Sequence, residues 1–282
     1  MSDSMEEVRK QYAEELRRLV HISSPALLDA FATVPRERFV GRGAWRSMEI
    51  GRFWASEYSD PRDVYQDVLI ELDRTKGINN GQPSLWALSF DQIGVKAGDH
   101  VLHLGCGTGY YTAILAELVG AGGRIIAVEI EEELAERARE ALMPWPQVAV
   151  KHGDGSRGPF EPADAIVVSS GVTHPLRAWL EAVKPGGRLL FPMTASGGSG
   201  VMTLLTRRSE KSFAARFLCG VRFIDFSGAR DPEVSRQLEK ALWRDHGAAV
   251  RSLRCDEHEQ EKNCWLHGAG WCFSAREAEE AG

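Results

Sequence analysis

The stretch "VLHLGCGTGYY", residues 101–111, decides the fold. An apolar run drops onto three glycines at alternate positions, Gly105, Gly107 and Gly109, and the chain then turns amphipathic. A strand, a glycine turn and a helix in that order place backbone N–H groups at a helix N-terminus, where a ligand meets no Cβ. The spacing is G-x-G-x-G. A dinucleotide turn reads G-x-G-x-x-G and is shaped around a pyrophosphate, so a nicotinamide oxidoreductase is disfavoured. Two further strand ends extend the pattern. Glu129 closes "RIIAVE", 24 residues after Gly105, where a carboxylate can accept both hydroxyls of a ribose. Asp154, in "GDG" at 153–155, ends the next strand. There it either accepts the exocyclic amine of adenine or belongs to a plain Asp-Gly turn. Together they point to an adenosine-bearing ligand at the carboxyl edge of an open α/β sheet.

Working outward, strands and helices alternate from about residue 85. Helices are predicted at 84–94, 108–120, 131–142 and 174–183, and strands at 100–105, 123–130, 147–154, 163–171 and 185–193. This alternation means a parallel sheet with helices on both faces. After residue 195 the pattern changes to two runs at hairpin distance, 201–208 and 213–224, so the sheet is expected to end in antiparallel strands. Upstream, Met5, Val8, Tyr12, Leu16 and Val20 recur at helical spacing, and "SSPALLDAFATV" carries a capping Ser and an early Pro. Residues 41–83 read as irregular, with only weak strand hints around Val64–Leu72. The tail holds one helix, 231–247, and candidate strands at 248–255 and 264–274. The expected organisation is N-terminal helices and a substrate-side loop at 1–84, a core at 85–227 and a C-terminal extension at 228–282.

The net charge of −6 argues against a nucleic-acid partner, which needs clustered Lys and Arg. The short basic segments Arg36–Arg38 and Arg207–Arg208 read as solvated surface. Neither a signal peptide nor an apolar run long enough for a membrane span is apparent, so a cytoplasmic location is expected. The five cysteines form no CxxC pair and read as reduced thiols. Cys255, His258, Cys264, His267 and Cys272 gather in the tail, but at spacings of no common zinc pattern, and no metal is expected. Trp265 and Trp271 read as tail-packing aromatics.

With "VPRERFV" at 34–40, "GQPS" at 81–84, "VEIEEELAERARE", "GDGS", "DAIVVSSG", "KPGGRLLFPM" and "GVRFI", the glycine turn resembles class I S-adenosylmethionine-dependent methyltransferases. More narrowly, residues 30–227 resemble the protein-L-isoaspartate O-methyltransferase family. The resemblance implies a Rossmann-like, seven-stranded, mostly parallel sheet, five parallel strands plus an antiparallel hairpin, with helices on both faces. It implies S-adenosyl-L-methionine as cofactor, the turn at Gly105, Cys106, Gly107, Thr108, Gly109 and Tyr110 holding its methionine half. Glu129 and Ile130 would then meet the ribose side, and Asp154 and Gly155 the adenine. His103 stands where the family carries an acid that orients the loop. Gln82, Ser84, Ser169, Ser170 and His174 fall where the family meets its acceptor, with Ser84 in the place of the family's catalytic-loop serine, one residue out of register.

Methyl transfer to a carboxylate, ionised at neutral pH, needs positioning and loss of water rather than a general base. The function implied is carboxyl O-methylation of isoaspartyl residues in proteins or peptides. The alternatives are a biosynthetic methyltransferase acting on a modified peptide or small molecule, and a catalytically weak cofactor-binding module. An amine or phenol acceptor would need a base, for which His174 is the convenient residue.

Overall fold

The computed structural model describes residues 4–41, 43–48 and 55–280. In chain order the elements begin with α1 (Met5–Val20), α2 (Pro25–Thr33), β1 (Trp45–Met48), β2 (Ala55–Tyr58), β3 (Leu69–Asp73), β4 (Ile78–Asn79) and α3 (Pro83–Ile93). The alternating part follows as β5 (His100–Leu104), α4 (Tyr110–Val119), β6 (Arg124–Glu129), α5 (Glu132–Ala141), β7 (Val148–His152), β8 (Ala163–Val168), α6 (Arg177–Ala182) and β9 (Val183–Thr194). The chain ends with β10 (Ser199–Arg207), β11 (Ser212–Arg222), α7 (Pro232–Asp245), β12 (Ser252–Arg254), β13 (Cys264–Gly268) and β14 (Trp271–Ser274). It divides into two compact units, Met1–Asp99 with Cys106–Gly153, and His100–Gly105 with Asp154–Gly282.

In the first unit β6 and β7 pair in parallel, Ile125 opposite Val148 through Glu129 opposite His152. Helix α4, expected to be amphipathic, is buried at every residue except the exposed Glu117. Helix α5 instead buries only Leu134, Ala135, Ala138 and Ala141, with acids in its first turn complementing the dipole. Helix α1 starts with a reciprocal capping box between Ser4 and Glu7 and buries Tyr12, Ala13 and Leu16. Gly94 closes α3 in the left-handed conformation favoured at a helix end.

Residues 41–83, expected to be irregular, hold an antiparallel sheet of order β2-β1-β3-β4. Its strands have two to five residues, too short for a two-residue periodicity to stand out. Arg36, expected on the surface, is instead fully buried, whereas Arg38 and Arg208 are exposed.

In the second unit the strand order is β13-β14-β12-β11-β10-β9-β8-β5. β5 pairs β8 and β8 pairs β9 in parallel, and every later pairing is antiparallel. Parallel pairs thus hold β5, β8 and β9 in this unit and β6 and β7 in the first, and β10–β11 is the expected hairpin. The tail adds three more strands beside β11, because the run 264–274 folds as two strands around a turn rather than one. The predicted helix 174–183 is trimmed to α6, and β9 starts at Val183, ahead of its Pro-Gly-Gly. Among the described residues no helix is long and apolar enough to cross a membrane.

Candidate functional site

The glycine turn of the first unit is built from its own backbone. The Cys106 N–H donates to Val128 O at 3.2 Å, and the Gly109 N–H donates back to Cys106 O at 3.0 Å. Gly109 has φ +94°, and a Cβ there would lie 2.6 Å from Leu142 Cδ1, so only glycine fits. Glu129 closes the arrangement. Its Oε2 accepts the Gly107 N–H at 2.7 Å and its Oε1 accepts the Glu131 N–H at 3.0 Å. Burial raises its pKa, and the backbone donors partly offset that. Each oxygen keeps a second lone pair, the capacity that two ribose hydroxyls require. Ile130, next along, is 43% exposed, an apolar surface beside that carboxylate in the chain. Thr108 and Cys106 are buried, and burial pushes the Cys106 thiol well up, so it is inert at neutral pH. The Tyr110 ring packs against Phe31 and Phe39 and is 2% exposed, so only its backbone belongs to the turn.

Gln82 and Ser84 are joined by a residue that sequence reasoning missed. Asp67 accepts from Gln82 Nε2 at 2.9 Å, from the Ser84 N–H at 2.7 Å and from Ser84 Oγ at 2.7 Å. The Ser84 hydroxyl proton is therefore committed, and its oxygen offers only acceptor lone pairs. Asp67 sits in a segment held by the buried Arg36 guanidinium. Nη1 of Arg36 donates to Val64 O and Gln66 O, both at 2.6 Å, and Nη2 donates to Val68 O at 2.8 Å. Tyr12 and Tyr110 present their ring faces to the cation at 5.9 and 5.8 Å. Nothing in "VPRERFV" sets Arg36 apart, since it stands between Pro35 and Glu37 and its carbonyl partners lie 28–32 residues away.

In the second unit His103 on β5 is 1% exposed, and its Nε2 lies 2.8 Å from Ser169 Oγ. Burial pushes its pKa down to about 3, so the ring is neutral at any ordinary pH. It can orient Ser169 but supplies no charge. Gly105 has φ +74°, and Ser170 Oγ lies 3.4 Å from the position of a Cβ there. Asp154 Oδ1 accepts from Ser156 N at 2.9 Å and Ser156 Oγ at 2.6 Å, and Oδ2 pairs with the exposed Arg157 at 3.0 Å. Partial burial opposes its ionisation, but these partners outweigh burial and hold the carboxyl below its usual range. A Cβ on Gly155 would lie 3.1 Å from Phe226 Cζ. His174 bonds Thr173 Oγ1 through Nδ1 at 2.9 Å and stacks on Trp271, ring centroids 5.5 Å apart and planes 7° from parallel. Burial lowers its pKa despite nearby Asp231.

The family model for protein-L-isoaspartate(D-aspartate) O-methyltransferases matches residues 7–231. The chain belongs to that family. Among relatives of this methyltransferase is the protein-L-isoaspartate O-methyltransferase of Brucella anthropi, 32% identical over 80% of this chain and 95% of the relative. Another is the protein-L-isoaspartate O-methyltransferase 2 of Pelobacter propionicus, 34% identical over 74% of this chain and 85% of the relative. A solved protein-L-isoaspartate O-methyltransferase superposes with TM-score 0.68 at 25% identity, covering 83% of this chain and 69% of that one. A putative one from Plasmodium falciparum, solved with S-adenosyl-L-homocysteine, shares the fold at TM-score 0.62 and 18% identity, over 78% and 98% of the two chains. The class I methyltransferase fold expected from the sequence is thus the fold of the methyltransferase.

Proposed function

We propose that this chain is an S-adenosyl-L-methionine-dependent carboxyl O-methyltransferase acting on isoaspartyl residues of proteins and peptides, a protein-repair activity exercised in the cytoplasm. The family match over residues 7–231 carries this reading. The residues present fit the cofactor. Glu129 has one oxygen lone pair left on each side for a ribose diol, Gly107 and Gly109 add no side chains to the turn and those of Cys106 and Thr108 are buried, and the anionic Asp154 has the acceptor that an adenine amine needs. When bound, the cofactor supplies an activated methyl group on a sulfonium.

The protein groups then have only to bind, orient and exclude water. The acceptor carboxylate is already ionised at neutral pH, so no proton has to be taken from it. This agrees with a neutral His103 and a Ser84 whose proton is held by Asp67. Gln82, Ser169 and Ser170 serve as hydrogen-bonding groups for the acceptor, and Ser84, its proton held by Asp67, offers lone pairs to an N–H of the acceptor peptide rather than to its carboxylate. Residues 1–84 provide N-terminal helices and the acceptor-side loop, 85–227 the core and 228–282 an extension, the last boundary supported by the family match ending at residue 231. A second reading is a biosynthetic enzyme with one defined modified peptide as acceptor. It is favoured by Trp271 of that extension stacking on His174.

The test is transfer of a tritiated methyl group to an isoaspartyl peptide and to its aspartyl isomer. The expected product carries label that base releases as methanol, from the isoaspartyl peptide only. Tight S-adenosylhomocysteine binding with no transfer to either peptide or to a protein extract would overturn the enzymatic reading. Transfer to a single extract component alone would select the biosynthetic one.

A further inference from the structure

The C-terminal extension gathers His258, Cys264, His267 and Cys272 with one ligand atom of each within 4.8 Å of all the others. We propose that these four residues form a closed, structural zinc site that ties down the β13–β14 hairpin. Two thiolates and two imidazoles are a complete tetrahedral donor set for zinc, with no position left open for catalysis. With Zn–S near 2.3 Å and Zn–N near 2.0 Å, the edges of such a tetrahedron are about 3.3–3.8 Å. The Cys264 Sγ to His258 Nε2 separation is already 3.6 Å, and small side-chain adjustments close the remainder.

The backbone explains how a spacing with no zinc signature builds the site. His267 and Cys272 are direct cross-strand partners on β13 and β14, which sets their Cβ atoms about 5 Å apart on one face. Cys264 and His267 are three apart, which on a regular strand puts them on opposite faces. The register of β13 shifts between Cys264 and Leu266, and the extra residue returns Cys264 to the face of His267. His258 arrives from the preceding loop.

The surroundings are those of ligands held in place. His258 Nδ1 faces Asp256 O at 3.0 Å and Asp256 Oδ2 at 3.3 Å, which leaves Nε2 toward the thiols. Asp256 is in turn clamped by Arg254, Nε to Oδ1 at 3.0 Å and Nη2 to Oδ2 at 2.6 Å. A carboxylate behind a ligating histidine is the usual outer shell of a zinc site. The Glu261 N–H donates to Cys264 Sγ at 3.2 Å, Cys272 is fully buried, and His267 Nδ1 is a buried atom with no hydrogen-bond partner among the described residues. On binding Zn²⁺ the two thiols release two protons to solvent, and the site becomes electrically neutral. Because Trp271 lies on the same hairpin and stacks on His174, the metal would also hold that ring in place.

The experiment is metal analysis of the full chain purified in reductant without chelator, followed by Co²⁺ titration of the metal-free protein. About one zinc per chain is expected, with a cobalt spectrum showing thiolate charge transfer and the intense d–d bands of a tetrahedral site. Cys272→Ser and His267→Gln should lose zinc, while Cys255→Ser, whose thiol is outside the set, should keep it. Should a ligand variant misfold, the wild-type cobalt spectrum decides by itself. Less than about a tenth of an equivalent of metal on the folded wild type, or cobalt bands without a thiolate contribution, overturns the proposal. A Cys264–Cys272 disulfide in the reduced preparation does the same.

Discussion

Replacing Glu129 by Gln tests the cofactor assignment where the structure is most specific. In the wild type each carboxylate oxygen holds one backbone N–H, from Gly107 at 2.7 Å and from Glu131 at 3.0 Å. A ribose diol would take the remaining lone pairs as two charge-assisted bonds, each worth about 1.5–3 kcal/mol. The amide keeps one neutral acceptor, and its NH₂ has no lone pair for the second hydroxyl. The affinity lost is therefore about 2–4 kcal/mol, or roughly 30- to 1000-fold in Kd. Stability should change far less. One backbone N–H is left facing an NH₂, at a cost of about 1–3 kcal/mol. Against this, a neutral amide avoids the desolvation that raises the pKa of the buried carboxylate. Calorimetric titration with S-adenosylhomocysteine, beside a urea unfolding curve, separates the two effects. A second signature is pH, since wild-type affinity should fall as acid protonates Glu129 while the variant stays flat. A folded Glu129→Gln protein that binds within about threefold of wild type would show that the ribose is held elsewhere.

Three other outcomes follow from the geometry. His103 is neutral when folded, its pKa pushed from 6.5 to about 3. Above the unfolded pKa neither state carries the proton. As pH falls below it only the unfolded chain does, so stability should drop by up to about 1.4 kcal/mol per pH unit. His103→Gln should remove that slope between pH 6 and 5 in urea titrations, and equal slopes would refute the burial argument. Arg36→Lys keeps the charge but loses the planar fork that reaches three carbonyls, and should cost about 3–5 kcal/mol in chemical denaturation. Asp67→Asn should lower kcat/KM for the isoaspartyl peptide by roughly 10- to 100-fold, because it removes the anionic acceptor shared by Gln82 and Ser84. S-adenosylhomocysteine affinity should be unchanged in that variant. A parallel loss of both would mean that Asp67 supports the whole first unit rather than the acceptor loop.

The parts of this protein that the sequence determined by itself are those in which neighbours in the chain are neighbours in space. "VLHLGCGTGYY" reads as strand, turn and helix because apolar periodicity and positive-φ glycines act within a few residues. Glu129 could be singled out because a strand end is visible locally. What only the tertiary structure decided depends on contacts across long stretches of chain. Arg36 is charged, and nothing beside it reveals that carbonyls 28–32 residues away will bury it. Asp67 gains its role from Ser84 and Gln82, 17 and 15 residues on. His103 departs from the family's acid, and only its burial against Ser169 shows it to be a neutral hydrogen-bonding group rather than a missing charge. Cys264 shares a hairpin face with His267 and Cys272 only because a bulge shifts the register by a residue, and His258 meets them from the preceding loop. A shift of that kind depends on how two strands pair, and a linear spacing of His and Cys does not contain it.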